Sequence, residues 1–262
     1  MKVALVQMTS LPEINLNIEK IVDSVKAASL NDADMVLFPE NCSCLGPGKI
    51  IQKYACLEKD HPALEAAIAS AKENNIYVLL GSIAVFPDNG DKSKMQNRSL
   101  LINREGKVVA RYNKINMFDA EISKNEFYRE SDRYLPGKIV SIVKTEFGKI
   151  GLSICFDLRF PELYKTLCSK GANIITVPSA FTKTTGEAHW EVLLRARAIE
   201  NSVWILAPAQ VGNHYGNRYT WGHSMVVDPW GKIIDQNSGL KEIIYADIDV
   251  NISSKTKSIF AT

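Results

Sequence analysis

The amino-acid sequence predicts an α/β fold on three observations. Short apolar runs of strand length alternate with helical stretches, that alternation occurs once in each half of the chain, and turns rich in Gly, Asn and Pro separate the later runs. Residues 3–6 and 34–38 are the first two strands. Between them a helix over 15–30 puts Ile18, Ile21, Val22, Val25 and Ala28 on one face, so the chain opens as a strand–helix–strand unit. A helix over 63–74 leads to a buried strand over 76–81. Strands over 99–103 and 107–112 then flank Arg104-Glu105-Gly106, a three-residue hairpin loop with glycine where a positive φ is wanted.

The second half repeats the plan with a strand over 149–154, a helix over 161–170 and a strand over 173–177. A helix over 189–201 and strands over 203–207, 224–227 and 243–248 complete it, joined by turns at Asp228-Pro229-Trp230-Gly231 and Asn237-Ser238-Gly239. No linker or low-complexity segment divides the chain, which reads as one domain over 1–262. In the first half a strand ends at Phe38-Pro39-Glu40, and in the second at Cys155-Phe156-Asp157. Both put a reactive side chain at the carboxyl end of a buried strand, where open α/β sheets build their sites.

Composition narrows the function classes. With 262 residues, 46% of them apolar and 23% charged, the chain buries a sizeable core and is neither disordered nor fibrous. The 31 basic and 29 acidic residues leave a formal net charge of +2 with no long run of one sign, which argues against nucleic acid as a principal partner. The apolar start of the chain is too short for a secretory signal, and no stretch approaches the roughly 20 apolar residues of a membrane span. Five cysteines, at 42, 44, 56, 155 and 168, are an odd number without a secretory signal. Free thiols in a reducing, cytoplasmic compartment are expected.

Three residues stand out for chemistry. Cys155 lies where an apolar strand changes sharply to a polar loop and then a helix, an elbow that exposes a nucleophile and aims the following backbone N–H groups at a developing oxyanion. Glu40 follows a mostly apolar run, so it sits at the rim of the core, where burial would raise its pKa toward that of a general base. Lys114 leaves the second strand of the hairpin into an apolar loop. Each has a plainer role as well: a small core thiol, a capping carboxylate, a solvated lysine. Spacing alone does not join them.

Resemblance does. Phe38-Pro39-Glu40, Tyr112-Asn113-Lys114 with Phe118-Asp119, and Cys155-Phe156-Asp157 with Arg159-Phe160-Pro161-Glu162 resemble, in order, the three signature blocks of the nitrilase superfamily of carbon-nitrogen hydrolases. The similarity runs across nearly the whole chain. It implies a four-layer α-β-β-α sandwich, usually assembled as a homodimer or higher homo-oligomer, and a catalytic triad of Glu40, Lys114 and Cys155. Glu130, in Arg129-Glu130-Ser131-Asp132, matches the family's second glutamate. Cys-aromatic-Asp is similar to the amidase type rather than the nitrilase type. The blocks at 178–181, 185–200 and 222–231 look most like the deaminated-glutathione amidases, with the ω-amidases close relatives and N-carbamoyl amino acid amidohydrolases a further alternative. Asn116 stands where the family often has His.

The resemblance thus implies hydrolysis of a small linear amide through a cysteine thioester, with Phe156 N–H and Lys114 at the oxyanion. The expected substrate carries a carboxylate, for which the planar guanidinium of Arg159 is the first candidate; an ion pair of Arg159 with Glu162 or Asp157 is the alternative. The family places the loop of Phe181 and Thr185 at the pocket. No step needs a metal, nucleotide or organic cofactor, and there is no glycine-rich phosphate loop. Three rival readings remain: a thiol protease pairing Cys155 with His189 or His223, a non-catalytic binding protein of the same fold, and a metal site at Cys42, Cys44, Cys56 and His61, whose spacing matches no familiar zinc pattern.

Overall fold

The computed structural model describes residues 1–124, 126–239 and 241–260. The first half contains β1 (Lys2–Val6), α1 (Ile14–Leu30), β2 (Met35–Leu37), α2 (Gly48–Tyr54), β3 (Cys56–Leu57), α3 (Pro62–Glu73), β4 (Tyr77–Phe86), β5 (Gln96–Ile102) and β6 (Val108–Asn113). A hairpin of β7 (Asp119–Ser123) and β8 (Glu126–Arg129) follows. The second half contains β9 (Ser141–Thr145), β10 (Gly148–Leu152), α4 (Pro161–Ser169), β11 (Ile174–Thr176), α5 (Lys183–Asn201) and β12 (Trp204–Ala207). Then come a hairpin of β13 (Val211–Tyr215) and β14 (Arg218–Trp221), the strands β15 (Met225–Val227), β16 (Ile233–Gln236) and β17 (Ile243–Asp247), and α6 (Asn251–Phe260).

The strands form two large sheets of like plan. One runs β17-β1-β2-β4-β5-β6, with β3 also paired to β4; the other runs β16-β15-β12-β11-β10-β9. In each, three central strands are parallel and the flanking ones antiparallel. The two-residue period of a strand makes the layers. Val3, Leu5, Met35, Leu37 and Leu79 belong to the core shared with Ile150, Leu152 and Ile174 of the other sheet. Their neighbours Ala4, Val6, Val36, Val78 and Leu80 pack instead on Ile21, Val25 and Ala28 of α1 and on Ala63, Leu64, Ala67 and Ala71 of α3. The outer face of the second sheet is covered by α4 and α5 through Tyr164, Leu167, Trp190, Leu194 and Ala198. The result is the four-layer α-β-β-α sandwich, in which each fully buried Leu, Ile or Val contributes about 1.5–3 kcal/mol of burial.

Several boundaries differ from the sequence reading, each for a local reason. The buried row of α1 is Ile14, Asn17, Ile21, Ser24, Val25 and Ala28, so Val22, about 100° round the helix from Ile21, is exposed instead of lying on the core face. Strand β4 continues past Gly81 to Phe86 through an irregularity between Leu80 and Ile83. Helix α5 begins at Lys183, six residues before 189, because Thr182 Oγ1 accepts a hydrogen bond from Thr185 N (3.2 Å) and caps it there. The two small hairpins are polar and half exposed, so no apolar alternation announces them.

Candidate active site

Strand ends converge on one point between the sheets. Phe38 N still donates to Leu79 O (2.9 Å), so the chain leaves β2 buried and turns at Pro39 to present Glu40 inward. Lys114 follows β6, its backbone held on both sides by Asn97 O (2.9 Å) and Gly137 N (2.7 Å). Glu130 opens a single 3-10 turn after β8. Cys155 begins another, Cys155–Arg159, at a left-handed φ of +48° that a non-glycine residue adopts only when its surroundings impose it.

What imposes it is Asp157, fully buried two residues on. Its Oδ2 accepts from Tyr112 Oη (2.7 Å) and Ile154 N (2.9 Å), and its Oδ1 from Asn116 N (2.9 Å) and Nδ2 (2.8 Å). Asn116, where an imidazole was the family expectation, thus supplies a side-chain donor that ties the Lys114 loop to the Cys155 turn. Cys155 N donates to Pro178 O and Asp157 N to Ile154 O (both 3.0 Å), while the Phe156 N–H between them finds no acceptor among the described residues. Gly81 lets the sheets close here: a Cβ on it would lie 1.9 Å from Phe38 O and 2.4 Å from Pro178 Cβ, against the segments that carry Glu40 and support Cys155.

The four side chains form one buried cluster. Lys114 Nζ donates to Glu40 Oε1 and to Glu130 Oε2, both at 2.8 Å. Asn97 Nδ2 bridges the same two carboxylates, 2.9 Å from Glu40 Oε1 and 3.0 Å from Glu130 Oε1, which fixes its amide orientation. Glu40 Oε2 accepts from Ala180 N (3.1 Å), and Glu130 Oε2 also accepts from Phe118 N (2.6 Å). An ammonium has three donors, so two are spent on carboxylates and one remains. Asn97 was not foreseen: it lies ahead of the strand expected over 99–103, and its only signal is polarity at the head of the apolar run Leu100-Leu101-Ile102.

Electrostatics correct one expectation. Burial pushes the Glu40 carboxyl up, but the Lys114 charge and hydrogen bonds from Lys114, Cys155 and Asn97 outweigh it and hold Glu40 below the ordinary carboxylate value. Burial would likewise lower the Lys114 ammonium, yet Glu130 and Glu40 raise it well above its usual range. Burial and the Glu40 charge push the Cys155 thiol well up, so it rests protonated. Two carboxylates, one ammonium and a neutral thiol leave the cluster with an excess negative charge, which disfavours a standing thiolate.

The remaining sequence candidates line an adjoining cleft. Phe156, Arg159, Phe181 and Thr185 meet beside Cys155 around a cavity of about 10 Å3, the limit for one water. Phe181 is buried against Trp190 and is therefore both core and cleft wall. Arg159 stacks over Phe156 and Phe181 at 5.8 and 5.5 Å and shares a hydrogen bond with His189 Nδ1 (3.1 Å). Neither Glu162 nor Asp157 pairs with it among the described residues, so its charge faces the cleft without a counter-ion. His189 is thereby committed to Arg159, and His223 stacks on Trp221, its Nδ1 3.0 Å from Trp221 O. Cys42 and Cys44 donate their S–H to Ser82 O and Pro12 O, and His61 Nδ1 caps α3 through Ala63 N. On its other side the cluster opens into a pocket of about 330 Å3. A larger cavity, about 1030 Å3, lies along β5 and β6 against 135–141 and holds none of the cluster.

Comparisons with known proteins identify the family. The carbon-nitrogen hydrolase family model matches residues 2–257. A protein named deaminated glutathione amidase from Yersinia enterocolitica is 42% identical over 236 residues, covering 90% of this chain and 82% of its own. One of the same name from Dictyostelium discoideum is 38% identical over 262 residues, covering 97% and 89%. Among solved structures, Saccharomyces cerevisiae Nit3, described as a member of branch 10 of the nitrilase superfamily, superposes with a TM-score of 0.89 at 30% identity, over 99% of this chain and 93% of that one. The Caenorhabditis elegans NitFhit protein gives 0.90 at 36% identity over 98% of this chain, which spans 63% of that longer one.

Proposed function

The chain belongs to the carbon-nitrogen hydrolase family, and from that premise we propose that it hydrolyses the amide bond of a small linear α-keto-acid amide, of the kind deaminated glutathione amidases are named for, through a thioester on Cys155. The observation that carries this reading is the buried cluster itself: a thiol, a carboxylate and an ammonium delivered by three separate strand ends to one point, beside an unpaired guanidinium.

In the proposed reaction Cys155 Sγ attacks the amide carbon as its proton passes to Glu40. Because the thiol is held up and the carboxyl down, that transfer is uphill in the resting enzyme and proceeds only as the C–S bond forms. The oxyanion receives the third Lys114 N–H and the Phe156 N–H, an interaction of about 3 kcal/mol per donor. Glu40 gives its proton to the departing nitrogen as the C–N bond breaks, leaving the thioester. Glu40 then deprotonates a water that attacks the thioester carbon; the C–S bond breaks, the sulfur regains the proton and the acid departs. Glu130 and Asn97 hold Lys114 and Glu40 in register, and Arg159 receives the keto-acid carboxylate once the cleft of about 10 Å3 that it shares with Thr185 and Phe181 widens around the substrate.

Rates on deaminated glutathione, α-ketoglutaramate and N-carbamoyl amino acids, with Cys155→Ala as control, test this. Cys155-dependent turnover that favours a keto-acid amide is expected; a preference for carbamoyl compounds, or turnover that survives in Cys155→Ala, overturns it. Replacing His189 or His223 with Asn separately should leave measurable amidase activity, against a thiol protease. The reading also includes one domain over 1–262, supported by a core common to both sheets; a homodimer, supported by exposed Val192 and Ile199 on α5; and a cytoplasmic location, supported by five free thiols. No helix among the described residues is long and apolar enough to cross a membrane. Light scattering and cell fractionation check the last two.

A further inference from the structure

Tyr134 carries a buried hydroxyl that the fold leaves unused. Its backbone is fixed on both sides: Met95 N donates to Arg133 O and Leu135 N to Met95 O (both 2.8 Å), and Tyr134 N donates to Glu130 O (3.0 Å). The ring packs in a small apolar cluster with Cys44, Ile51, Ala84, Phe86 and Met95. The residue is 7% exposed, and its Oη has no hydrogen-bond partner among the described residues. Phenylalanine would fill the same space without stranding a hydroxyl, so packing alone does not account for a tyrosine here.

The side chain lines the pocket of about 330 Å3 beside Cys155, together with Glu40, Glu130 and Lys114. Burial, then the Glu130 and Glu40 charges, push the phenol well up. It therefore keeps its proton and serves as a hydrogen-bonding group, not as a base.

The second half of the reaction creates a need at this place. In the resting site Glu40 Oε1 accepts from Lys114 and Asn97, Oε2 accepts from Ala180 N, and the Cys155 thiol also donates to Glu40. Acylation consumes the thiol hydrogen, so the thioester leaves Glu40 with an acceptor site open. Water reaches that site from the pocket, since the cleft toward Arg159 holds the acyl group. One hydrogen of the water goes to Glu40; unless the other is held as well, the lone pair of its oxygen is not aimed at the thioester carbon. We infer that Tyr134 Oη accepts this second hydrogen, which makes Tyr134 the residue that positions the hydrolytic water, acting in deacylation and not in acylation. The inference rests on the thioester reading above. Glu40 takes the first proton as the O–C bond forms and returns it to sulfur as the C–S bond breaks, while Tyr134 keeps its own proton throughout.

Tyr134→Phe removes one oxygen and leaves the ring. Under saturating α-keto-acid amide the variant should stand mostly as the thioester, read by acid quench and intact mass, and that thioester should decay about 10- to 100-fold more slowly than in the wild type. kcat/KM, which acylation sets, should stay within about twofold, so that kcat and KM fall together. The melting temperature should be no lower than that of the wild type, because only an unpartnered hydroxyl is lost. A fall in kcat/KM equal to that in kcat, or deacylation at the wild-type rate, overturns the inference. So does a variant that melts clearly lower or fails to fold, since the protein itself would then hold the hydroxyl. In all of these cases the wild-type enzyme keeps its Cys155-dependent turnover; turnover surviving in Cys155→Ala would instead refute the underlying reading.

Discussion

Replacing Glu130 with Gln removes one negative charge from the cluster while keeping the size of the side chain. Two carboxylate oxygens 2.9 and 3.0 Å from the single Asn97 nitrogen are at most about 6 Å apart, and at an effective dielectric of about 20 that separation is worth about 3 kcal/mol of repulsion. The Glu130 side chain is 14% exposed, so solvent screening reduces this to about 1–2 kcal/mol. The sign follows directly. Without Glu130, Lys114 serves Glu40 alone and the second anion is gone, so Glu40 ionises more readily and becomes a weaker base. The acidic limb of the kcat profile should therefore move to lower pH, while the plateau falls about 10- to 30-fold. Ammonia release measured from pH 4 to 9 reads both. An unmoved acidic limb, with loss confined to thermal stability, would refute the argument and leave Glu130 a purely structural ligand of Lys114.

Other consequences follow from the same packing. Gly81→Ala puts a Cβ 1.9 Å from Phe38 O, so the Glu40 and Pro178 segments must part; a loss of about 1–3 kcal/mol in stability and about 100-fold in kcat/KM is expected from denaturation and initial rates, and wild-type kcat would contradict it. Asp157→Asn presents an amide to Tyr112 Oη or Ile154 N where an acceptor is needed, which should cost about 2–4 kcal/mol and slow acylation, read by thermal melts and burst kinetics. Burial lowers His61 and His214 from 6.5 to about 4, so the folded state keeps them neutral while the unfolded chain takes up protons below pH 6.5. Stability is therefore lost as pH falls from 6.5 toward 4, by about 2 kcal/mol per histidine at pH 5, and His214→Gln should flatten urea midpoints over that window by this amount.

The sequence by itself determined the apolar core strands, though not the polar hairpins, and placed reactive side chains at strand ends. Apolar runs such as Val3 to Val6 have only one way to be buried, and Glu40 and Cys155 follow such runs directly. It also carried the family through three short blocks, which hold Glu40, Lys114 and Cys155, the side chains that the fold brings together. What it could not carry was anything held from a distance. Asn97 bridges Glu40 and Glu130 across 57 and 33 residues, and Asp157 clamps Tyr112 and Asn116 from 45 and 41 residues away. In one dimension these are ordinary polar residues near strand ends. The Glu40 expectation failed for the same reason: its neighbours in the chain predict burial and a raised pKa, but its neighbour in space is Lys114, 74 residues on, and that charge reverses the sign. Packing one sheet on the other decides which charges meet, and at about 3 Å in a buried site those meetings outweigh every local preference.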